Sequence, residues 1–264
     1  MWTLDRARPV PVWLPVPAAA DLVLAFSTRG GGVSEPPFDT LDLGSSSGEP
    51  AHEVTENRRR LLRSLGLDPA RLATAGQVHG DTVRTVSRPG HVPGCDALLT
   101  LTPGLALAVA TADCMSLLCS APGAIAAVHA GWRGTVAGLP ASALVALCAA
   151  AGVAPREVRV ALGPCIRGCC YAVGPEVADR FPAAALRRAA GSWHLDLPTA
   201  ARLQLTEAGL PPEALEDTGA CTACEPAYYF SHRRDAGRTG RLWGIAALGP
   251  VAPAAPERRN GAGV

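Results

Sequence analysis

The chain has no lysine; all 24 of its basic residues are arginine. A Schiff base and a lysine general base are therefore excluded. Cationic help in any reaction has to come from arginine, histidine or a metal. Charge of one sign is not in excess either: the formal net charge is +1, which argues against a nucleic-acid partner. No run of about 18 uncharged apolar residues reads as membrane-spanning, and the apolar stretch over 139–153 reads as a buried helix. Met1 to Val12 lacks the basic start and long apolar run of a secretory signal. With nine cysteines, an odd number, at least one thiol stays unpaired within a monomer. A reduced, cytoplasmic protein with no membrane partner is expected. Internal repeats and internal linkers are also missing.

What is present describes an ordinary globular chain. It has 264 residues, 48% of them hydrophobic, enough to bury a substantial core. Residues 21–249 are expected to form a single catalytic domain, 1–20 an N-terminal extension, and the Pro-, Ala- and Gly-rich 250–264 a disordered tail. Short apolar runs predict strands over 22–26, 82–86, 97–101, 106–110, 117–119, 124–128, 158–162 and 243–248. Helical spacing predicts helices over 53–65, 136–151, 175–181, 184–189 and 199–208. Strands and helices mix without strict alternation. This predicts an α+β fold with mixed β-sheets and flanking helices in a single domain.

The residues that carry chemistry sit where strands end. In Ala126-Ala127-Val128-His129-Ala130-Gly131-Trp132-Arg133-Gly134-Thr135, an imidazole closes an apolar run just before a glycine turn. Thr111-Ala112-Asp113-Cys114 ends another run, and Gln77-Val78-His79-Gly80 puts a second histidine beside a glycine. His79, Cys114 and His129 form a ligand set suited to Zn²⁺ with one position left open, the pattern of a catalytic site. Taken singly, each also reads as structure: a buried thiol is a good small hydrophobe, and a lone histidine is commonly a satisfied core residue. The wide separation of the three favours that second reading, and spacing alone leaves both open. Asp113 is a candidate proton shuttle or ligand orienter, although neighbours on an extended segment point to opposite faces.

Other constellations are less pointed. Cys165, Cys169 and Cys170 cluster in sequence, and Cys221-Thr222-Ala223-Cys224 is a C-x-x-C pair. One reading is a second, structural zinc site of four thiolates. The loose C-x₃-C-C spacing favours the other, in which these are small buried residues of a tight core. Thr28-Arg29-Gly30-Gly31-Gly32 either cradles an anion through Arg29 and its backbone N–H groups or is a plain turn. It lacks the Lys-Ser/Thr ending of a P-loop. On the helix carrying Glu56-Asn57-Arg58-Arg59-Arg60, Arg59 and Arg60 read as a solvated face, and Arg58 is the candidate to reach a site. His232, Arg233 and Arg234 are candidates for phosphate or ribose, or for surface salt bridges.

Several of these segments recur together. Ser27 to Ser34, Glu56-Asn57-Arg58, Gln77 to Gly80, Thr111 to Cys114, Val128 to Gly134, Gly163-Pro164-Cys165-Ile166, Cys170-Tyr171 and Phe230 to Asp235 stand in one order. In this the chain resembles the bacterial laccase-domain family, long labelled multicopper polyphenol oxidase and now read as zinc-dependent purine nucleoside phosphorylases. The resemblance runs from about Phe26 to Ile245. It implies zinc at His79, Cys114 and His129, and substrate binding by Arg29, Arg58, His232 and Arg234. The substrates implied are adenosine, inosine, guanosine and 5′-methylthioadenosine with inorganic phosphate, and adenosine deamination is a second activity. The chain departs from the family pattern at Met115-Ser116, at Ala172 in place of a glutamate, and at Asp42 in place of an asparagine.

Two other functions attach to the resemblance. Copper-dependent phenol oxidation would use a His₂Cys centre, but a multicopper cluster needs many more histidines than the six present. A hydrolase that edits peptidoglycan precursors would use Cys114 as nucleophile and a histidine as base. Metal content separates these readings, because a zinc-bound thiolate is a poor free nucleophile.

Overall fold

Alternation along short apolar strands gives each sheet two buried faces, and four layers follow from it. The structure, a computed structural model, describes residues 1–18, 21–45 and 47–249; the tail expected over 250–264 lies outside them. In chain order the strands are β1 (Trp2–Asp5), β2 (Val12–Pro15), β3 (Leu22–Ser27), β4 (Leu72–Ala75), β5 (Val83–Thr85), β6 (Gly90–Val92), β7 (Ala97–Thr100) and β8 (Ala106–Thr111). They continue as β9 (Met115–Ala121), β10 (Ala124–Ala130), β11 (Arg159–Leu162), β12 (Ala172–Val173), β13 (Leu186–Ala189), β14 (Ser192–Leu195), β15 (Leu215–Asp217) and β16 (Leu242–Leu248). The helices are α1 (Ala51–Ser64), α2 (Trp132–Val136), α3 (Leu139–Ala151), α4 (Pro175–Ala178) and α5 (Leu197–Glu207).

One sheet has seven strands in the order β1-β2-β3-β16-β8-β4-β6, and a second has six in the order β15-β11-β9-β10-β7-β5. A small third sheet is β12-β14-β13. Most pairings are antiparallel, but β4 runs parallel to β6 and β8, β5 to β7, and β11 to β15. The architecture is the α+β arrangement of mixed sheets and flanking helices that the sequence predicts.

The two large sheets pack face to face. Leu24, Phe26, Leu107 and Val109 of one meet Leu118, Ile125, Ala127 and Ala161 of the other. Alternate residues of β9, β10 and β11, including Leu117, Val128 and Val160, turn the other way onto Leu139, Ala143, Leu144 and Leu147 of α3. The outer face of the seven-stranded sheet packs on α1 through Leu61 and Leu62. By the same parity His129 shares the inter-sheet face with Ile125 and Ala127. It stands at the end of β10, opposite Ser116 at the start of β9.

Several elements differ from the sequence reading, among them the short strands β4, β6, β12, β14 and β15, which it does not predict. The helix expected over 136–151 begins at Leu139, because Gly138, at φ 84°, separates α3 from the short α2 before it, and Pro140 occupies the first turn of α3. Residues 184–189, expected as helix, form a 3₁₀ turn over Ala183–Ala185 and then β13, which pairs with β14. Cross-strand pairing there overrides the helix propensity of an Ala-, Leu- and Arg-rich segment. Residues 1–18 supply β1 and β2, which extend the seven-stranded sheet through β3. Among the described residues, no helix is long and apolar enough to cross a membrane.

The layering predicts a sharp contrast within α3. Leu147 is fully buried against β9 and β10, while Val145 on the opposite side is 57% exposed. Leu147→Ala should cost about 2–5 kcal/mol, and Val145→Ala less than about 0.5 kcal/mol, by denaturant unfolding. Equal costs would contradict the assignment of the helix face.

Candidate metal centre

Two loops and the end of one strand deliver the site, and one buried carboxylate organises two of these three segments. His79 lies in the loop after β4, Cys114 in the turn between β8 and β9, and His129 near the end of β10. Their candidate ligand atoms all lie within 4.8 Å of one another. The His79 and His129 rings stand edge to face with centroids 5.0 Å apart. The three residues, separated in sequence, are thus brought into one cluster able to hold a metal ion.

Asp96, fully buried just before β7, fixes their geometry. Its Oδ1 accepts the His79 N–H at 2.9 Å and lies 2.9 Å from His129 Nδ1. Its Oδ2 accepts the N–H groups of Val78 at 3.1 Å and Gly80 at 2.8 Å. The Asp96 carbonyl also accepts the His129 N–H at 2.7 Å. Because Asp96 occupies Nδ1 of His129, Nε2 is the nitrogen left to face the cluster. A carboxylate behind a ligating histidine is the usual outer partner of a metal site.

The backbone is tensioned at the same place. Gln77, His79 and Asp113 have φ of 49°, 60° and 88°, conformations that non-glycine residues hold only when surroundings impose them. For Gln77 the imposition is visible: its side-chain amide donates to the Ala110 carbonyl at 2.6 Å and accepts the Ala110 N–H at 2.7 Å. Gly131 is required by proximity, since a Cβ there would come within 2.9 Å of Cys114 Sγ.

The charges are mutually supporting. Burial pushes the Cys114 thiol up, but the charges and hydrogen bonds of His129 and His79 outweigh it and bring the thiol down to about 6. Burial opposes protonation of His129, yet the Cys114 thiolate and Asp96 raise it to about 9. Burial likewise opposes the Asp96 carboxylate, and hydrogen bonds from His129 and backbone N–H groups hold it below the ordinary range. Without a metal, the centre is a thiolate–imidazolium pair across neutral pH.

A cleft of about 600 Å³ opens over the cluster. Four arginines line it, Arg58, Arg133, Arg233 and Arg241, together with His91 and His232. Arg58 donates Nε and Nη2 to the Leu43 carbonyl and stacks on Trp243, 4.9 Å from its ring centre. Tyr171 also lines the cleft; burial, then the nearby Cys114 charge, pushes its phenol up to about 12. Asp113 stands at the edge with its carboxylate turned to protein. Oδ1 accepts the Thr222 hydroxyl and Oδ2 the Arg233 N–H, both at 2.6 Å.

Two candidates from the sequence lie outside the lining. Arg29 is spent on the Asp39 carbonyl and carboxylate and on the Pro226 carbonyl. Arg234 is spent on Asp235 and on the carbonyls of Thr222 and Tyr229. The glycine run beside Arg29 has its N–H groups turned to protein acceptors, Gly32 to Thr40 and Val33 to Asn57. Asp96, His91 and Arg241 are site residues that motif reading does not single out. Only Asp96 leaves a trace, an acidic residue immediately before the apolar strand 97–100.

Comparison with known proteins is consistent with this geometry. Residues 23–249 match the family model described as multi-copper polyphenol oxidoreductase laccase. A purine nucleoside phosphorylase of Deinococcus radiodurans is 42% identical over 89% of this chain and 93% of its own length. Purine nucleoside phosphorylase YlmD of Geobacillus stearothermophilus is 36% identical over 86% of this chain and 90% of its own. The crystal structure of YlmD from Geobacillus stearothermophilus superposes with a TM-score of 0.87 at 34% identity, covering 94% of this chain and 98% of that one. That of Bacillus licheniformis YfiH gives a TM-score of 0.88 at 31% identity, covering 94% and 99%.

Two outcomes follow. Asp96→Asn replaces an acceptor with an amide that must point an NH₂ at N–H donors, so metal affinity should fall about 10–100-fold with the fold retained; unchanged affinity in a competitive chelator titration would contradict the role of Asp96. A metal must also displace the proton of His129. Binding of zinc to stripped protein should therefore release about one proton per ion between pH ~6 and ~9, with more released below ~6, where Cys114 is also protonated, and less above ~9. Calorimetry in buffers of different ionisation enthalpy measures this, and release that does not vary with pH would contradict the ion pair.

Proposed function

The chain belongs to the multi-copper polyphenol oxidoreductase laccase family, and from that premise we propose that it is a zinc-dependent purine nucleoside phosphorylase. Its substrates are adenosine, inosine, guanosine and 5′-methylthioadenosine with inorganic phosphate, and adenosine deamination is its second activity. The observation that carries the reading is a His79–Cys114–His129 cluster at a cleft lined by four arginines. Relatives 36% and 42% identical that bear the phosphorylase name support it.

The donor set fits zinc: two imidazoles and one thiolate within 4.8 Å, with a carboxylate behind one histidine. Bound there, the ion supplies Lewis-acid polarisation and activates water. The chain's own residues do the rest. In phosphorolysis, positive charge builds on the ribose as the glycosidic bond breaks. Phosphate must be held against C1′, and guanidinium groups suit this because they bind its oxygens in pairs. We assign this to Arg58, whose Nη1 is not used by its bonds to the Leu43 carbonyl, to His232 and to the other arginines that line the cleft; holding the partners in register supplies much of the barrier reduction. The leaving purine needs a proton, and Tyr171 remains a protonated donor at the cleft wall through neutral pH. Asp113 acts as a positioning residue, tying Thr222 and the Arg233 backbone to the turn that carries Cys114. Arg29 and Arg234, bonded within the protein, support the walls.

One observation favours a second reading. His129 stands between Asp96, bonded to its Nδ1, and Cys114, whose sulfur is within 4.8 Å of a ring nitrogen, an order that also describes a thiol nucleophile with an oriented base, as a Cys114 hydrolase would need. Convergence of His79 as a third donor supports the metal reading instead. Copper oxidation in the manner of the family's name lacks a comparable set: among the described residues, His79 and His129 are the histidines that share a ligand cluster.

With inosine, hypoxanthine and ribose 1-phosphate should appear only when phosphate is present. Arg58→Lys should lower kcat/KM for phosphate at least about tenfold, near 1.4 kcal/mol, and spare adenosine deamination, which needs only water. Arg29→Lys and Arg234→Lys should act on stability more than on phosphate dependence. Free ribose released at the same rate without phosphate would identify a hydrolase, and equal loss of both activities in Arg58→Lys would remove Arg58 from phosphate binding.

A further inference from the structure

A second cluster lies away from the cleft floor. Cys169 and Cys170, on the loop after β11, meet Cys221 and Cys224, on the turn after β15. Their four sulfurs all lie within 4.8 Å of one another. Cys169 Sγ is 3.4 Å from that of Cys221 and 3.5 Å from that of Cys224, and Cys170 Sγ is 3.2 Å from that of Cys224. These separations far exceed a disulfide bond of about 2.05 Å. They approach the edge of a tetrahedron with zinc–sulfur bonds of about 2.3 Å, near 3.8 Å. Two disulfides would divide the sulfurs into pairs, whereas Cys169 here is as close to Cys224 as to Cys221. Cys165, the fifth candidate, is fully buried in the core beneath α3 and α5 and takes no part.

The two loops are already registered by a bridge between Cys165 and Cys221, with Thr222 N–H donating to the Cys165 carbonyl at 3.1 Å. The same loops carry Ile166, Tyr171, His232 and Arg233 to the cleft wall.

We propose that Cys169, Cys170, Cys221 and Cys224 hold a structural zinc ion that staples the 163–171 loop to the 221–235 segment and so fixes one wall of the cleft. The set is closed, four thiolates with no open position, which is the pattern of a structural rather than a catalytic site. The cluster is partly exposed, with Cys169 and Cys224 at the surface and Cys221 buried, at the junction of two loops that a cross-link would tie. The inference does not depend on the reaction proposed for the cleft.

The test separates the two sites by emptying the first. Protein purified without chelator should carry about two zinc ions per chain, and Cys114→Ala about one. X-ray absorption at the zinc edge of Cys114→Ala should then find only sulfur neighbours, at about 2.3 Å. A Cys221→Ser/Cys224→Ser protein should lose that ion, keep the one bound through Cys114, and exchange its amides faster over 163–171 and 221–235. Cys114→Ala with no zinc, with iron in its place, with nitrogen or oxygen neighbours, or with a mass showing two disulfides would overturn the proposal. Should the double variant fail to fold, the Cys114→Ala spectrum decides alone.

Discussion

The arrangement of the cleft depends on one buried carboxylate. Asp96 is sealed from water between the two large sheets, and a charge in that position persists only if it is fully hydrogen-bonded. The site supplies three backbone N–H groups from the His79 loop and the His129 imidazole. Each of those bonds also places a ligand. The same electrostatic demand that keeps Asp96 ionised therefore orients one histidine through its ring and the other through its backbone. Cys114 completes the centre from the turn between β8 and β9, with Gly131 leaving room for its sulfur.

The sheets explain why the three ligand segments meet. β8 and β9 are consecutive strands of different sheets, so the turn between them, which carries Cys114, crosses the sandwich at its edge. β10 returns beside β9 and puts His129 opposite Ser116. β4 lies next to β8 in the other sheet, so the loop that leaves it reaches the same edge. Ordinary strand pairing brings together residues as far apart in sequence as His79 and His129, and the apolar layers beneath hold them there. The strained backbone at Gln77, His79 and Asp113 marks where that framework is bent to bring the ligands in.

Much of this was legible in the sequence, and what was missed has physical causes. The strands around Cys114 and His129 announce themselves as apolar runs, and the Ala-Asp-Cys and His-Ala-Gly endings mark where each stops. The metal trio could be nominated from residue type but not assembled, because spacing along the chain carries no information about which sheet edges coincide. Arg29 and Arg234 sit in the matching motifs, yet their guanidiniums are consumed by carbonyls and carboxylates within the protein. A basic residue in a motif is as often a brace as a ligand. Asp96, His91 and Arg241 arrive from outside the motifs, through pairing and loop closure. Residues 184–189 read as helix from composition and became a strand because β14 offered a partner. For the cysteines, the loose spacing of 165, 169 and 170 favoured a core reading. Cys165 and Cys221 are buried as that reading expects, whereas Cys169 and Cys224 are exposed and Cys170 is half-buried, because the two loops meet at the surface more than fifty residues apart.

Anomalous difference maps from crystals of the protein as purified, collected on either side of the zinc absorption edge, test most directly whether His79, Cys114 and His129, oriented by Asp96, hold zinc. A zinc-specific peak about 2.0–2.3 Å from both imidazole nitrogens and the Cys114 sulfur is expected. No peak between these three residues, or a peak that follows the copper edge instead, would contradict it.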